Sequence, residues 1–217
     1  NGGGGVGGSG IVVIRYAVPS VSTPVLDTAD DSGISSTDNI TSATTLTFTG
    51  SAPVGSTVQL YVRERAAASE SAVASGSTCT ANATTGEWSC DTDVLTAGDK
   101  VVTAESTTYL SSSTVTSTST GLTVTVDTTA PTVSMSASSS TLNSGQNSTL
   151  TFTLSEPSTN FVTGDATATG GTLASISSTS STVYTAVFTP TANTQSRTGV
   201  ISVAIGAFAD AAGNTNT

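Results

Sequence analysis

Leu122-Thr123-Val124-Thr125-Val126-Asp127-Thr128-Thr129-Ala130-Pro131 is the stretch on which the fold turns. In its first half apolar and polar residues alternate with a period of two, the pattern of a β-strand with one face in a core and the other in water. In its second half Asp, Thr and Pro end that strand, and a new apolar pattern opens at Val133 and Met135. One module closes and the next begins with almost no linker, which limits the relative motion of the two bodies.

The same period recurs on both sides. Upstream, Leu46 and Phe48 alternate with Thr45, Thr47 and Thr49, and Val58, Leu60 and Val62 alternate with Gln59 and Tyr61. Turn-forming residues at Pro53-Val54-Gly55, Thr85-Gly86 and Ala97-Gly98-Asp99 separate the runs. Trp88, Leu95, Val101 and Tyr109 are expected to fill the same core, Trp88 and Tyr109 in preference to forming a carbohydrate platform. Downstream, the pattern continues through Leu150, Phe152 and Leu154, then Val183, Tyr184, Val187 and Phe188, then Val200, Ile201, Val203 and Ile205. The Ala-rich tract Arg63 to Gly76, with Arg63, Glu64, Arg65 and Glu70, reads as a longer excursion, either a helical turn or two or a solvated connection. The expected class is all-β: two tandem antiparallel β-sandwiches over residues 19–128 and 129–217. Before them, residues 1–18 hold a short glycine-rich segment and an apolar run, Ile11-Val12-Val13-Ile14-Arg15-Tyr16-Ala17-Val18, that reads as the closing strand of a preceding module.

Composition narrows the chemistry. Of 217 residues, 45 are Thr and 36 are Ser, 15 are acidic and five basic, and the net charge is −10. Threonine and valine are β-branched and sit well on a pleated surface, so a chain with 9% charged residues is read as sheet and not as coil. Histidine is absent, which excludes Ser-His-Asp and Cys-His nucleophile systems, His-containing zinc sites and a histidine general base. The scattered glutamates Glu64, Glu70, Glu87, Glu105 and Glu156 do not suggest a carboxylate pair across a cleft, so no enzyme is expected. Four arginines and one lysine form no basic cluster, against nucleic acid as a partner. No run of 18 apolar residues is present, so no membrane insertion is expected. The chain begins at Asn1 without a signal peptide and is read as a processed product or a piece of a longer protein.

Two features single out residues. Cys79 and Cys90 flank a turn-prone centre at Asn82, Thr84, Thr85 and Gly86, and a hairpin there would place them opposite each other within disulfide reach; the alternative is two unrelated buried thiols. A disulfide implies an oxidising, extracellular setting. Acidic residues gather early, 11 of the 15 before residue 106, with Asp27, Asp30, Asp31 and Asp38 in one loop. That concentration marks the first place to look for a site.

At these residues the chain resembles bacterial immunoglobulin-like domains, the tandem modules of large secreted adhesins and biofilm surface proteins. The first module carries Asp31-Ser32-Gly33, Asp38-Asn39-Ile40-Thr41, Phe48-Thr49-Gly50, Gly55-Ser56-Thr57-Val58 and the closing Val126 to Thr132; the second carries Leu154-Ser155-Glu156-Pro157, Gly164-Asp165, Thr169-Gly170-Gly171-Thr172-Leu173, Phe188-Thr189-Pro190 and Asp210-Ala211-Ala212-Gly213-Asn214. Residues 7–16 separately resemble the closing strand of glycine-rich modules in bacterial surface and phage fibre-type proteins. The resemblance implies two immunoglobulin-like sandwiches and calcium at module junctions, with Asp30, Asp31, Asp38, Asp127, Asp210 and Asn214 as candidate ligands; the alternative is that these side chains cap turns. It also implies a non-enzymatic extracellular or cell-surface spacer or adhesive segment. Its partners would be neighbouring modules or subunits, or cell-surface glycans or receptors. Two other readings remain open: a virion fibre or decoration protein, and a filament subunit in which Ile11, Val12, Val13, Ile14 and Tyr16 complete a neighbour's second module.

Overall fold

A computed structural model describes residues 19–66, 72–110, 113–143, 145–192 and 198–217. The proposed assembly strand, Ile11 to Tyr16, lies outside the described residues.

Among its described residues the first module has nine strands: β1 (Val25–Leu26), β2 (Ile40–Thr41), β3 (Thr47–Ser51), β4 (Thr57–Glu64), β5 (Val73–Thr80), β6 (Glu87–Asp91), β7 (Gly98–Leu110), β8 (Ser113–Thr118) and β9 (Leu122–Val126). They form two sheets, β1-β3-β6 and β2-β9-β7-β4-β5, with β8 also paired to β7. Between the sheets lie Leu46, Phe48, Val58, Leu60, Val102 and Val124, all fully buried. Each contributes roughly 1.5–3 kcal/mol by leaving water. Alternation sets their partners: Val58 and Leu60 face inward from β4, while Gln59 and Tyr61 face outward.

The second module contains β10 (Val133–Ala137), β11 (Ser148–Leu154), β12 (Ala166–Thr169), β13 (Gly171–Leu173), β14 (Ser177–Ser178), β15 (Val183–Pro190) and β16 (Val200–Val203), with a 3₁₀ turn at Thr163–Asp165. The sheet β10-β11-β15-β13 packs on the two-stranded β12–β16. Phe161 organises this core, meeting the rings of Phe152, Tyr184 and Phe208 edge-on at centroid distances of 5.5, 5.1 and 5.0 Å. Edge-to-face contacts of this kind place ring edges against the negative π faces. The Tyr184 hydroxyl donates to the Ser158 carbonyl, so the buried ring leaves no polar atom unmatched.

Several expected placements change. On β7 the inward row is Lys100, Val102, Ala104 and Ser106, so Val101 falls on the outer face, where Gly121 makes room for it. The same two-residue period carries a lysine into the core. Lys100 is 2% exposed and donates to Glu64 and to Thr96 Oγ1 (2.9 Å). Tyr109 is 74% exposed because β7 continues beyond the sandwich that Val102 helps to fill. Met135, Val187 and Ile205 are likewise exposed, each on the outer face or beyond the end of its strand. Both ends of the expected excursion from Arg63 to Gly76 are sheet: Arg63 and Glu64 end β4, and Val73 to Gly76 begin β5, which pairs back onto it, while residues 67–71, Glu70 among them, lie outside the described residues.

Cys79 and Cys90 are joined, with Cα atoms 5.6 Å apart, but not across a hairpin. Cys79 lies on β5 in one sheet and Cys90 on β6 in the other, so the bond spans the sandwich. Between them the chain turns from sheet to sheet. Asn82 Oδ1 accepts from Thr84 N and Thr85 N (2.8 and 3.0 Å), and Gly86 takes a positive φ of 77° with no room for a Cβ beside the Ala52 carbonyl.

Candidate functional site

The site is built where the two modules meet. β9 ends at the buried Val126, and Asp127 follows, its amide donating to the Thr41 carbonyl (2.8 Å) and its Oδ1 accepting from Thr129 N (2.9 Å). Those two bonds turn the chain into the second module. Thr132 and Ser155 then bind each other, Ser155 N to Thr132 O and Thr132 N to Ser155 Oγ (both 2.9 Å), which brings Glu156 to the same end of the module as Asp127.

The third acid arrives from the far end of the sequence. Residues 209–214 form a tight turn in which Asp210, 2% exposed, accepts from Asn214 N through Oδ1 and from Asn214 Nδ2 through Oδ2 (both 2.9 Å). Asn214 Nδ2 also donates to the Asp127 carbonyl (2.8 Å), tying this turn to the linker. Carboxylate oxygens of Asp127, Glu156 and Asp210 lie within 4.8 Å of one another. Neither of the two ion pairs among the described residues involves them. Burial raises the Glu156 carboxyl above its ordinary pKa, and the charges of Asp127 and Asp210 push in the same direction. Three hard oxygen donors converging, none of them in an ion pair among the described residues, is donor chemistry suited to a calcium-like ion.

Around this cluster the modules touch directly. Ser32 Oγ donates to the Ala212 carbonyl (2.8 Å) while accepting from Ser42 N (2.8 Å), and Ile34 N donates to the Ala211 carbonyl (3.3 Å). Gly33, at φ +103°, sits so close to the second module that a Cβ there would lie 2.0 Å from the Ala211 oxygen. Gly213 approaches from the other side; its own Cβ would lie 3.0 Å from Gly33 Cα. Two glycines face each other because neither position has space for a side chain.

Of the six candidate ligands, the structure brings Asp127, Asp210 and Asn214 together at the junction. Asn214 donates through its side-chain amide to the Asp210 carboxylate and to the Asp127 backbone carbonyl. Asp30, Asp31 and Asp38 are not in the triad. They lie at the same end of the first module as Asp127, and each carboxylate accepts a backbone amide: Asp30 from Thr47 N (2.7 Å), Asp31 from Asn39 N (3.2 Å) and Asp38 from Ile40 N (3.1 Å). Such bonds let the loop hold its shape and present Ser32, Gly33 and Ile34 to the second module. The other oxygen of Asp31 is buried with no hydrogen-bond partner. The sequence reading passed over Glu156. Its signal was the position of Glu156-Pro157 directly after an alternating run, where a strand leaves the sheet at the module's end.

Two surface depressions among the described residues hold no pair of carboxylates. One is lined by Pro157, Phe161, Ile176 and Tyr184, and the other by Val62, Val73, Leu95 and Lys100 together with Glu64, which is held by that lysine. No helix among the described residues is long and apolar enough to cross a membrane.

Comparison with known families gives two matches, each to a profile described as bacterial Ig-like domain, over residues 18–128 and 127–217. No curated protein matches the chain.

Proposed function

Because this chain belongs to the bacterial Ig-like domain family, with two tandem copies spanning residues 18–217, we propose that it is a stiff extracellular spacer or adhesive segment of a repetitive surface protein. Domains of this family are typically extracellular, structural and non-enzymatic. The observation that carries the reading is the seating of the 209–214 turn against the Ser32–Ile34 loop, with hydrogen bonds from Ser32 and Ile34 and the glycine-to-glycine approach. Such a contact fixes the angle between modules. A fixed angle lets a chain project or cohere over a set distance, which catalysis does not require.

A calcium ion would add to this by neutralising Asp127, Glu156 and Asp210, and by binding the folded junction it would stabilise that junction through mass action. Residual dipolar couplings measured on the whole chain test the spacer reading: one alignment tensor is expected for both modules, and two independent tensors would overturn it. Calorimetric titration with calcium chloride tests the ion separately. Binding with a dissociation constant of about 10⁻⁴–10⁻³ M, the range of extracellular calcium modules, is expected, together with its loss in Asp210→Asn. The absence of heat and of any melting shift at millimolar calcium would remove the ion and leave the spacer reading standing.

A further inference from the structure

The core of the first module changes character toward the end remote from the junction. On β7 the inward row Val102, Ala104, Ser106 and Thr108 turns from apolar to polar, and on the neighbouring strand the inward row Leu60, Val58 is continued by Ser56, just before β4 begins. Ser56 and Ser106 are each 1% exposed. Val58 lies opposite Ser106 and Thr57 opposite Thr107, so one further step in the same register sets Ser56 opposite Thr108, with Ser106 diagonal to it on the same face. Residues directly opposite have Cβ atoms roughly 4.5–5.5 Å apart, so one small molecule can touch both side chains.

Trp88 comes to the same place from the other sheet. Ala81 N donates to the Ser56 carbonyl (2.9 Å) and Asn82 N to the Glu87 carbonyl (2.8 Å), so two consecutive residues tie Ser56 to the peptide that leads into Trp88. The indole is buried against Gly50, its partner on β3, where a Cβ would lie 2.5 Å from the ring. Ser56 Oγ, Ser106 Oγ, Thr108 Oγ1 and Trp88 Nε1 are all buried with no hydrogen-bond partner among the described residues; the fifth such atom, Asp31 Oδ1, is at the junction end. Buried hydroxyls elsewhere are matched: Thr92 Oγ1 accepts from Leu46 N (3.1 Å), Ser75 Oγ accepts from Asp93 N (3.0 Å), and Ser148 Oγ donates to the Ser139 carbonyl (2.9 Å). Four unmatched polar atoms gathered at one end of a core call for a shared partner.

We propose that Ser56 Oγ, Ser106 Oγ, Thr108 Oγ1 and Trp88 Nε1 share an ordered internal water at the remote end of the first module's core. An indole nitrogen only donates, so the water oxygen accepts from Trp88 and from one hydroxyl, and its two hydrogens go to the oxygens of the other two. Four partners match the upper end of what a buried water takes, roughly two to four. The side chains at this end, Ser56, Ala81 and Ser106, are smaller than Leu60, Val102 and Val124 nearer the junction, which leaves room for it. This site is independent of the junction and of any ion there.

Trp88 is the single tryptophan of the chain and reports on the site directly. In the nitrogen-15-labelled full chain, its indole N–H proton is expected to show a rotating-frame cross-peak at the water frequency, with the sign of a dipolar contact and not of proton exchange. The absence of that cross-peak would overturn the proposal. A hydroxyl proton exchanging with water gives the same signal, so the measurement is repeated in Ser56→Ala, Ser106→Ala and Thr108→Val, each alone. The cross-peak is expected to persist in all three, because the remaining partners still hold the water; its loss in any one would identify a relay through that hydroxyl and overturn the proposal. Oxygen-17 relaxation dispersion, which does not detect hydroxyl protons, gives a second readout. Ser106→Val, whose added bulk takes the water's place, is expected to lose about one long-lived water per molecule relative to the parent. An unchanged number would equally overturn it.

Discussion

The two ends of the first module solve opposite problems. At the junction end, hydroxyls and amides of Ser32, Ile34, Thr41 and Ser42 are matched to partners within the loop or on the second module, and Gly33 yields its side chain so that the backbones can meet. At the remote end, the Ser56 and Ser106 hydroxyls and the Trp88 indole nitrogen are buried without a protein partner, and Tyr109 and Leu110 stand in solvent. The remote end is held instead by a covalent bond, Cys79 to Cys90, between the two sheets. At the junction the close approach of the two bodies is made possible by absent side chains, Gly33 facing Gly213.

The contrast can be broken from either end. Removing the disulfide with Cys79→Ser and Cys90→Ser has the largest expected effect, a loss of about 3 kcal/mol for a loop of this size. Chemical denaturation measures it, and hydrogen exchange should show β5 and β6 opening while the contact between modules persists. Next comes Gly33→Val, which forces a β-branched residue into the left-handed region and against the Ala211 carbonyl, at a cost of roughly 2 kcal/mol or more. Its signature is a single thermal transition splitting into two as the modules uncouple. Gly55→Ala is the matched control at the remote end. Gly55 also has a positive φ of 71°, but nothing lies within 4 Å of its Cβ position, so only the backbone preference is lost, about 1 kcal/mol, with the transition left single.

The smallest expected effect is one of pH. Glu156 has a folded-state pKa raised above its ordinary value, so the folded state holds its proton more tightly than the unfolded chain does. Its influence is therefore most favourable below the ordinary carboxylate range and is lost as pH rises through the raised value. In chelator-treated protein, melting temperature should fall modestly across that window. Glu156→Gln should flatten the fall and raise the melting temperature at neutral pH, and a profile identical to that of the parent would contradict the repulsion among the three acids.

Much of the architecture could be read from period-two alternation, because a strand that buries one face must repeat its apolar residues every second position. Leu46, Phe48, Val58, Leu60 and Val124 are inside for that reason. Alternation is blind to where a strand outruns its neighbours, which is why Tyr109 was expected in the core, and a side chain's polarity does not override its parity, which is why Lys100 is there in place of Val101. Spacing also cannot distinguish a hairpin from an arch between sheets, since both bring Cys79 near Cys90. The junction was half legible. Asp127, Asp210 and Asn214 were singled out from family motifs, but the density of acids before residue 106 drew attention to a loop whose carboxylates accept backbone amides of the loop and of β3. The convergent group comprises three of the four acids that lie beyond it, far apart in sequence and joined by topology alone.

The position of β9 has one more consequence. Tension on a tandem array would enter the first module near Pro19 at one end and leave through Val126 at the other. Because β9 pairs with β7 from Leu122 to Val126 and with β2 at Thr125 and Val126, and ladder bonds of this kind lie roughly perpendicular to the pull, the load falls on the row together. The strand that hands the chain on to the next module must be sheared out, not peeled residue by residue.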